Sequence, residues 1–499
     1  MKIDAIRHYL SRAVTAGSLI ASDTLEDDLR AVRAIGAKFI GRAADYWRHA
    51  PDEPHFAACQ ELSRRVHAID ADTVLQGCIF EAIYPGVAQT PIPAWVFEAF
   101  DLPVEPRNFR FEEIAGPVFR DVYRWDAAEG SPHGGTVPDL TQREAQLWFY
   151  YRAVRYLQSG FEALHLGQVH MYAGRDSGYR IFARLCAMIR AAATRYGRRG
   201  FVLLDAHTHG IAIDGNLLLD FCSRPISARN FAEQPERIIL VQRGQSIGGI
   251  LPGGDPCDIS PTLIEVDNWG GYSLSAEQLA NAAQRAQTNR WGYDDIAWFA
   301  HQPLSEREHF MQYAHRFVRA QHDHCYFQMP LRRTLGRAAM TVNGRRAEFF
   351  KANTPSPACP DGFGGENAIA RIWHQPLELP RFAASTDDRV PATGQRTPQP
   401  VAIVGTIQQF LGGLPGDASC PWSRFTHTGG GRFEKLLVIP WRDTYEFTIA
   451  CGGTMTEVYR NGLHGGKPYT FTTTHDNAVI HMVFDYADKS VALQSLTSA

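Results

Sequence analysis

Apolar residues come along this chain in short runs that end abruptly in polar residues, and these runs alternate with stretches of helical spacing. Leu25 to Ile35 (LEDDLRAVRAI) is helical and leads through Gly36 into KFIGRAADYW, an apolar strand that ends at Asp45 and Trp47. A second helical stretch, Phe56 to Ala68, feeds TVLQGCIFEAIYP, whose tip places Glu81 between Phe80 and Tyr84. The design recurs. Thr141 to Ser159 is helical and precedes FEALHLGQVHMY, and Tyr179 to Tyr196 is helical and feeds FVLLDAHTHG. GNLLLDFCSRPI reads as an extra strand or hairpin arm, and RIILVQRGQ and TLIEVDNWGGY as strands. Helical LSAEQLANAAQRAQ then leads to DDIAWFAHQP, and a last helix leads to CYFQMPLRR. Strands near residues 39, 76, 166, 203, 240, 264, 298 and 327 make eight, with helices between them. That alternation predicts a parallel sheet closed into a (β/α)8 TIM barrel.

Two regions depart from the alternation. Residues 85–140, rich in proline, glycine and aromatics, are too long for an ordinary connection and are expected to roof the site. Beyond the barrel, 1–375, a proline-rich linker over 376–400 precedes 401–499, where short alternating runs such as YEFTIACGG and AVIHMVFDY predict a β-sandwich-like domain. The runner-up fold, an open doubly wound sheet, would normally carry a glycine-rich first turn; neither GxGxxG nor GxxxxGKS/T follows a strand, so the barrel is preferred, and no cofactor is expected.

Composition narrows the partners. Among 499 residues, 44% are hydrophobic, enough for a large core, and the net charge of -3 without a basic run argues against nucleic acid. No stretch approaches the roughly 18 apolar residues of a membrane span, and the charged, amphipathic N-terminus lacks a signal-peptide core, so a cytoplasmic protein is expected. Nine scattered cysteines with no CxxC form neither a disulfide framework nor a zinc ribbon. The oligomeric state is not legible.

Chemistry concentrates at the ends of the runs. If Thr262 to Tyr272 is extended, Glu265 and Asp267 share one face and Ile264 and Val266 the other; likewise Leu203, Asp205 and His207 share a face. In barrels the functional residues come from the carboxyl ends of the strands. Those ends supply carboxylates, amides, histidines and aromatic faces, the groups a sugar site uses. Cleaving a glycosidic bond needs one carboxylic acid to protonate the leaving oxygen and a second carboxylate as nucleophile or base. Asp205 and Asp267 form the leading pair, with Glu265 as substitute. Asp45, Glu81, Gln168, His170, His207, His301 and Gln302 are candidate substrate contacts, and Trp269, beside Gly270, is a candidate stacking platform. Asp45 and Glu81 are equally well read as structural ion-pair partners of Arg42 or another buried arginine, and His170 as a lumen histidine. The cluster HDHC at 322–325 reads as structural or surface.

On these residues the chain resembles the barrel glycoside hydrolases of the α-galactosidase and α-glucosidase type. The resemblance implies an Asp after strand four as nucleophile, here Asp205 in LLDAHTHG, and an Asp after strand six as acid/base, here Asp267 in IEVDNWGG. It also implies a C-terminal β-sandwich and an oligosaccharide or glycoside substrate. The pair His207 and His209 resembles the HxH metal signature of amidohydrolase barrels, with Glu265, Asp267 or His301 completing a zinc site. That family carries HxH on its first strand, whereas the first strand here ends in ADYW. A carbohydrate-binding protein without catalysis is the third reading.

Overall fold

Eight parallel strands form the centre of the protein: β1 (Ala13–Ala16), β2 (Phe39–Ala44), β3 (Val74–Cys78), β4 (Ala163–His165), β5 (Leu203–Asp205), β6 (Cys222–Pro225), β7 (Thr262–Glu265) and β8 (Cys325–Thr334). In the computed structural model they lie in the order 5-4-3-2-1-8-7-6, every neighbouring pair parallel. A parallel bridge between His207 and Ser223 joins β5 to β6, where the Ser223 N–H donates to the Ala206 carbonyl at 3.0 Å. The sheet therefore closes, and the fold is a (β/α)8 barrel. The structure describes residues 1–45, 47, 51–125, 134–230, 237–241, 244–268, 294–336, 339–375, 377–391 and 393–497.

Two compact units interleave along the chain. The first, Met1–Pro225, Gly244–Glu265 and His324–Ala370, holds the barrel strands; the second comprises Ile226–Arg243, Val266–Asp323 and Arg371–Ala499.

Side-chain alternation builds the barrel floor. Ala13, Phe39, Val74, Ala163, Leu203, Phe221, Leu263 and Tyr326, from the eight strands or the residue just before one, make a single buried apolar cluster. Helix α1 (Ile3–Leu10) closes that cluster with Ile6, Tyr9 and Leu10. The opposite parity, including Val14, Ile40, Leu75, Leu164, Leu204, Ile264 and Phe327, is also buried, as expected of strands covered on both faces. Helix α2 (Leu25–Ile35) shows how the covering elements are set: Glu26, Asp27 and Asp28 meet the positive end of its dipole, and Gly36, at φ 70°, ends it. Further helices α3 (Asp52–Ile69), α4 (Arg143–Gln158) and α5 (Arg180–Tyr196) follow β2, β3 and β4.

The expected strand set needs two replacements. The run near 240 is a hairpin arm, Ile238–Val241 pairing antiparallel with Ser227–Asn230 in the second unit. The run near 298 is helix α6 (Asp295–His301), started by Asp294, whose carboxylate accepts from the Ala297 N–H at 2.7 Å. Their places in the barrel are taken by β1 and β6. The connections after β5 and β6 contain short antiparallel strands rather than the expected helices. Asp205 consequently ends the fifth strand and Glu265 the seventh.

The second unit contains α6, α7 (Leu304–Gln321) and two antiparallel sheets. One orders β9 (Val401–Val404) against β12 (Thr444–Cys451), which also pairs with β13 (Glu457–Arg460) and β14 (Tyr469–Thr472). The other runs β10 (Thr426–Gly429), β11 (Arg432–Ile439), β15 (Ala478–Asp485), β16 (Ser490–Ser495). Alternate residues, among them Ile403, Phe433, Leu437, Phe447, Ile449, Met482 and Phe484, form their common core. All nine cysteines are free thiols. Among the described residues no helix is long and apolar enough to cross a membrane.

Candidate active site

Two residues beyond each floor position the lining of the barrel changes character. Thr15, Gly41, Gln76, His165, Asp205, Ser223, Glu265 and Gln328 continue the same parity on β1 to β8, so an apolar layer is overlaid by one rich in hydrogen-bonding groups. The seven side chains of that layer are all buried. Buried polar groups are costly unless they are paired. Here most are paired with one another across the lumen.

Asp205 collects three of these contacts. Gln76 Nε2 donates to Oδ1 at 2.5 Å, Ser223 Oγ donates to Oδ2 at 2.7 Å, and His165 Nδ1 lies 2.9 Å from Oδ2. Burial pushes His165 below the ordinary histidine range against the upward pull of Asp205, which favours the neutral ring. A carboxylate can only accept, so the Asp205 contact places the proton on Nδ1. His165 Nε2 is then a bare lone pair, buried and without a hydrogen-bond partner among the described residues.

Glu265 is held differently. Its Oε1 accepts from Arg42 and lies 3.0 Å from His207 Nε2, and Arg333 Nη1 is 3.7 Å from Oε2. Burial pushes its carboxyl up, but Arg42, His207 and Arg333 together outweigh burial and hold it well below the usual range. The His165 and His207 rings meet edge to face at 4.8 Å, so the two acid clusters adjoin through a histidine pair.

The backbone explains how Arg42 reaches the lumen. The β2–β3 register slips between Ile40 and Ala44, a bulge, and Arg42 stands in it at φ 57°, which a side-chain-bearing residue seldom adopts. Its N–H donates to Gln76 Oε1 at 3.1 Å. Gly41 is required beside it, because a Cβ there would lie 2.1 Å from Gln328 Nε2.

Above this layer the rim carries further predicted residues. Asp45 accepts from Ser18 Oγ at 2.7 and 2.6 Å, and burial pushes its carboxyl up against the pull of Ser18, Arg332 and Arg42. Glu81 accepts from the Gln168 N–H and Nε2, both at 2.9 Å. Gly167, at φ 57°, leaves the space that Glu81 Oε2 occupies. Trp47 packs edge to face on Phe80 and on Trp125 of the insertion, at 5.3 and 5.2 Å. These rings form an aromatic wall.

The remaining sequence candidates are divided between the two units. His170 is exposed on a helical turn, Val169–Tyr172. His301 and Gln302 end α6 in the second unit and bond their own helix, His301 Nδ1 to Ala297 O at 2.7 Å and Gln302 Nε2 to Trp298 O at 3.1 Å. Asp267 also belongs to the second unit, where its Oδ1 accepts the Asn268 N–H at 2.8 Å. Trp269 falls outside the described residues. Of the HxH pair, His209 is exposed, while His207 Nε2 sits 2.8 Å from Arg42 Nη2. A divalent ion on that nitrogen would face a guanidinium, an arrangement Coulomb repulsion opposes. Sequence reasoning missed Gln76, His165, Ser223 and Arg333. Parity finds the first three, since each lies two residues beyond an inward apolar position.

The chain matches no protein-family model and no curated protein. Among solved structures it is similar to a GH27 β-L-arabinopyranosidase from Geobacillus stearothermophilus in complex with arabinose, at 11% identity and TM-score 0.36 over 100% of both chains. It is also similar to the debranching enzyme of Nostoc punctiforme, at 10% identity and TM-score 0.37 over 95% of this chain and 98% of that one. Likeness at this level assigns neither activity nor site residues; the closed parallel barrel and the antiparallel C-terminal sheets are established by the strand pairing itself.

Proposed function

We propose that the barrel hydrolyses or transfers a glycosidic linkage at the mouth above its polar layer. The observation that carries this reading is the lining: an apolar floor overlaid by amide, hydroxyl and imidazole groups with two carboxylates, Asp205 and Glu265, and an aromatic wall of Trp47 and Phe80 at the rim. Convergent polar groups beside an aromatic surface suit a polyhydroxylated ligand.

Roles follow from the surroundings of each acid. Asp205, oriented by Gln76, Ser223 and His165, is the nucleophile or base. Glu265 is unsuited to donate a proton near neutrality because its carboxyl is held well below the usual range, so it serves to position Arg42 and His207. Asp45 has surroundings that favour its protonated form, and it joins Asp267 as a candidate acid. Glu81, Gln168 and His207 contact sugar hydroxyls. The guanidinium beside His207 favours this metal-free chemistry over the HxH zinc reading.

Release of reducing sugar or aryl product across a broad glycoside panel tests the proposal, with wild type beside Asp205→Asn, Asp45→Asn and Asp267→Asn. Turnover that resists chelator and falls steeply in Asp205→Asn supports it. Binding of glycosides without turnover on any of them would point to a non-catalytic carbohydrate-binding barrel instead.

A further inference from the structure

Strand β12 of the second unit has two unlike faces. Tyr445, Phe447 and Ile449 enter the core, while Thr444, Glu446 and Thr448 alternate on the opposite side as the floor of an open groove of about 460 Å³. Ile449 is in register with Tyr459 of β13, so Arg460 stands beside Thr448, and Met455 forms part of the rim. The threonines have partners: Thr444 Oγ1 lies 2.8 Å from Thr472 Oγ1, and Thr448 Oγ1 donates to the Val404 carbonyl at 3.3 Å. Arg460 does not. Among the described residues no carboxylate lies within ion-pair distance of it, and its Nε is buried without a hydrogen-bond partner.

A half-buried arginine facing a groove with its donors unused is a site for a planar anion, because the guanidinium fork matches a carboxylate with two parallel hydrogen bonds. Two carboxylates line the groove and impose a second condition: Asp443 is ion-paired with Arg237 at 3.4 Å, while Glu446 repels a bare anion but accepts hydrogen bonds from hydroxyl groups, so a ligand must carry hydroxyl donors beside its negative charge. A neutral sugar would leave Arg460 unused, and a simple carboxylate would leave Glu446 unmatched. We propose that this groove is a second ligand site that takes an acidic saccharide, a uronate whose carboxylate meets Arg460 and whose hydroxyls meet Glu446 and Thr444. The saccharide part of the inference rests on the glycoside reading of the barrel; the carboxylate part rests on Arg460 alone.

Titration calorimetry of the full chain with a galacturonate trisaccharide and with its neutral galactose counterpart tests it. The acidic ligand binds about tenfold tighter or better, as a charge-assisted pair implies, and rising salt weakens the preference. Arg460→Gln removes the preference, and Arg460→Lys, which keeps the charge but loses the fork, retains only part of it. Circular dichroism establishes that both variants are folded. Equal affinity for the two trisaccharides, or a preference that survives Arg460→Gln, overturns the proposal. Asp205→Asn leaves this binding intact; a wild-type chain that turns over no glycoside yet still prefers the acidic ligand sinks the barrel reading alone, and wild-type turnover with no acidic-ligand binding sinks the groove alone.

Discussion

Replacing Glu265 by Gln removes one negative charge from a buried cluster while nearly preserving its shape. Glu265 is 1% exposed, with Arg42 bonded to Oε1 and Arg333 3.7 Å from Oε2. Unit charges about 4 Å apart interact by roughly 4 kcal/mol at an effective dielectric of 20. Much of that is offset by the cost of taking the ions out of water, so the pair adds little over an apolar substitute, but removal of one partner strands the other. Breaking a buried pair costs about 3–5 kcal/mol, a large fraction of a typical stability of roughly 5–15 kcal/mol. The expected loss is therefore about 3–5 kcal/mol, read from the urea midpoint of the first unfolding transition. Arg42→Met in the same chain recovers part of the loss, with a coupling on the order of 1–3 kcal/mol. The pH dependence carries a second signature. The folded-state carboxyl is held below its ordinary value of 4.5, so its stabilisation is present above that pH and is lost as pH falls through the lower folded value. Glu265→Gln lacks this acid-side loss. A cost under about 1 kcal/mol, within the range of an exposed ion pair, or an unchanged acid slope would refute the buried-cluster account.

Three further predictions probe the packing and the rim. Gly41→Ala drives a Cβ to within 2.1 Å of Gln328 Nε2, which donates to the Val14 carbonyl; it is expected to cost about 1–3 kcal/mol by overpacking, and an unchanged Tm in calorimetry would contradict the close approach. His55 is lowered to about 3 by burial and by Arg152, so its contribution to stability is present above its ordinary 6.5 and is lost as pH falls from there toward about 3. His55→Gln flattens that part of the urea-midpoint profile, and a profile that keeps its slope would show that the ring charges without penalty. Because burial raises the Asp45 carboxyl, a proton-donor role makes turnover fall as pH rises through that raised value; Asp45→Asn lowers kcat and removes this alkaline limb, whereas a change in KM alone assigns Asp45 to binding.

Much of the architecture is legible in the alternation of apolar runs and helical stretches, but the number of strands is reached partly through the wrong segments. Ile238–Val241 and the IAWFA run of α6 are short and apolar, and periodicity cannot separate such runs from barrel strands. The capping Asp294 and the acidic first turn at Asp295 do signal a helix start. Conversely, AVTA in β1 is small and short, and Cys222–Pro225 is hidden within a longer hairpin-like run. The inward acids Asp205 and Glu265 are visible because each ends an apolar run. Their partners are not: Gln76, His165 and Ser223 meet Asp205 only through the register of strands far apart in sequence. Arg42 reaches Glu265 from a bulge with a left-handed backbone, which no hydropathy pattern encodes.

The proposed role of Asp205, fixed by three donors in the polar layer, is that of a catalytic carboxylate in a glycosidase that works without a metal. Glycoside turnover by wild type and Asp205→Asn, each with and without chelator, tests it most directly. Wild-type turnover is expected to be indifferent to chelator and to fall by at least about a thousandfold in Asp205→Asn, about 4 kcal/mol of activation barrier. Undiminished turnover in Asp205→Asn, or wild-type turnover abolished by chelator and restored by zinc, would contradict it.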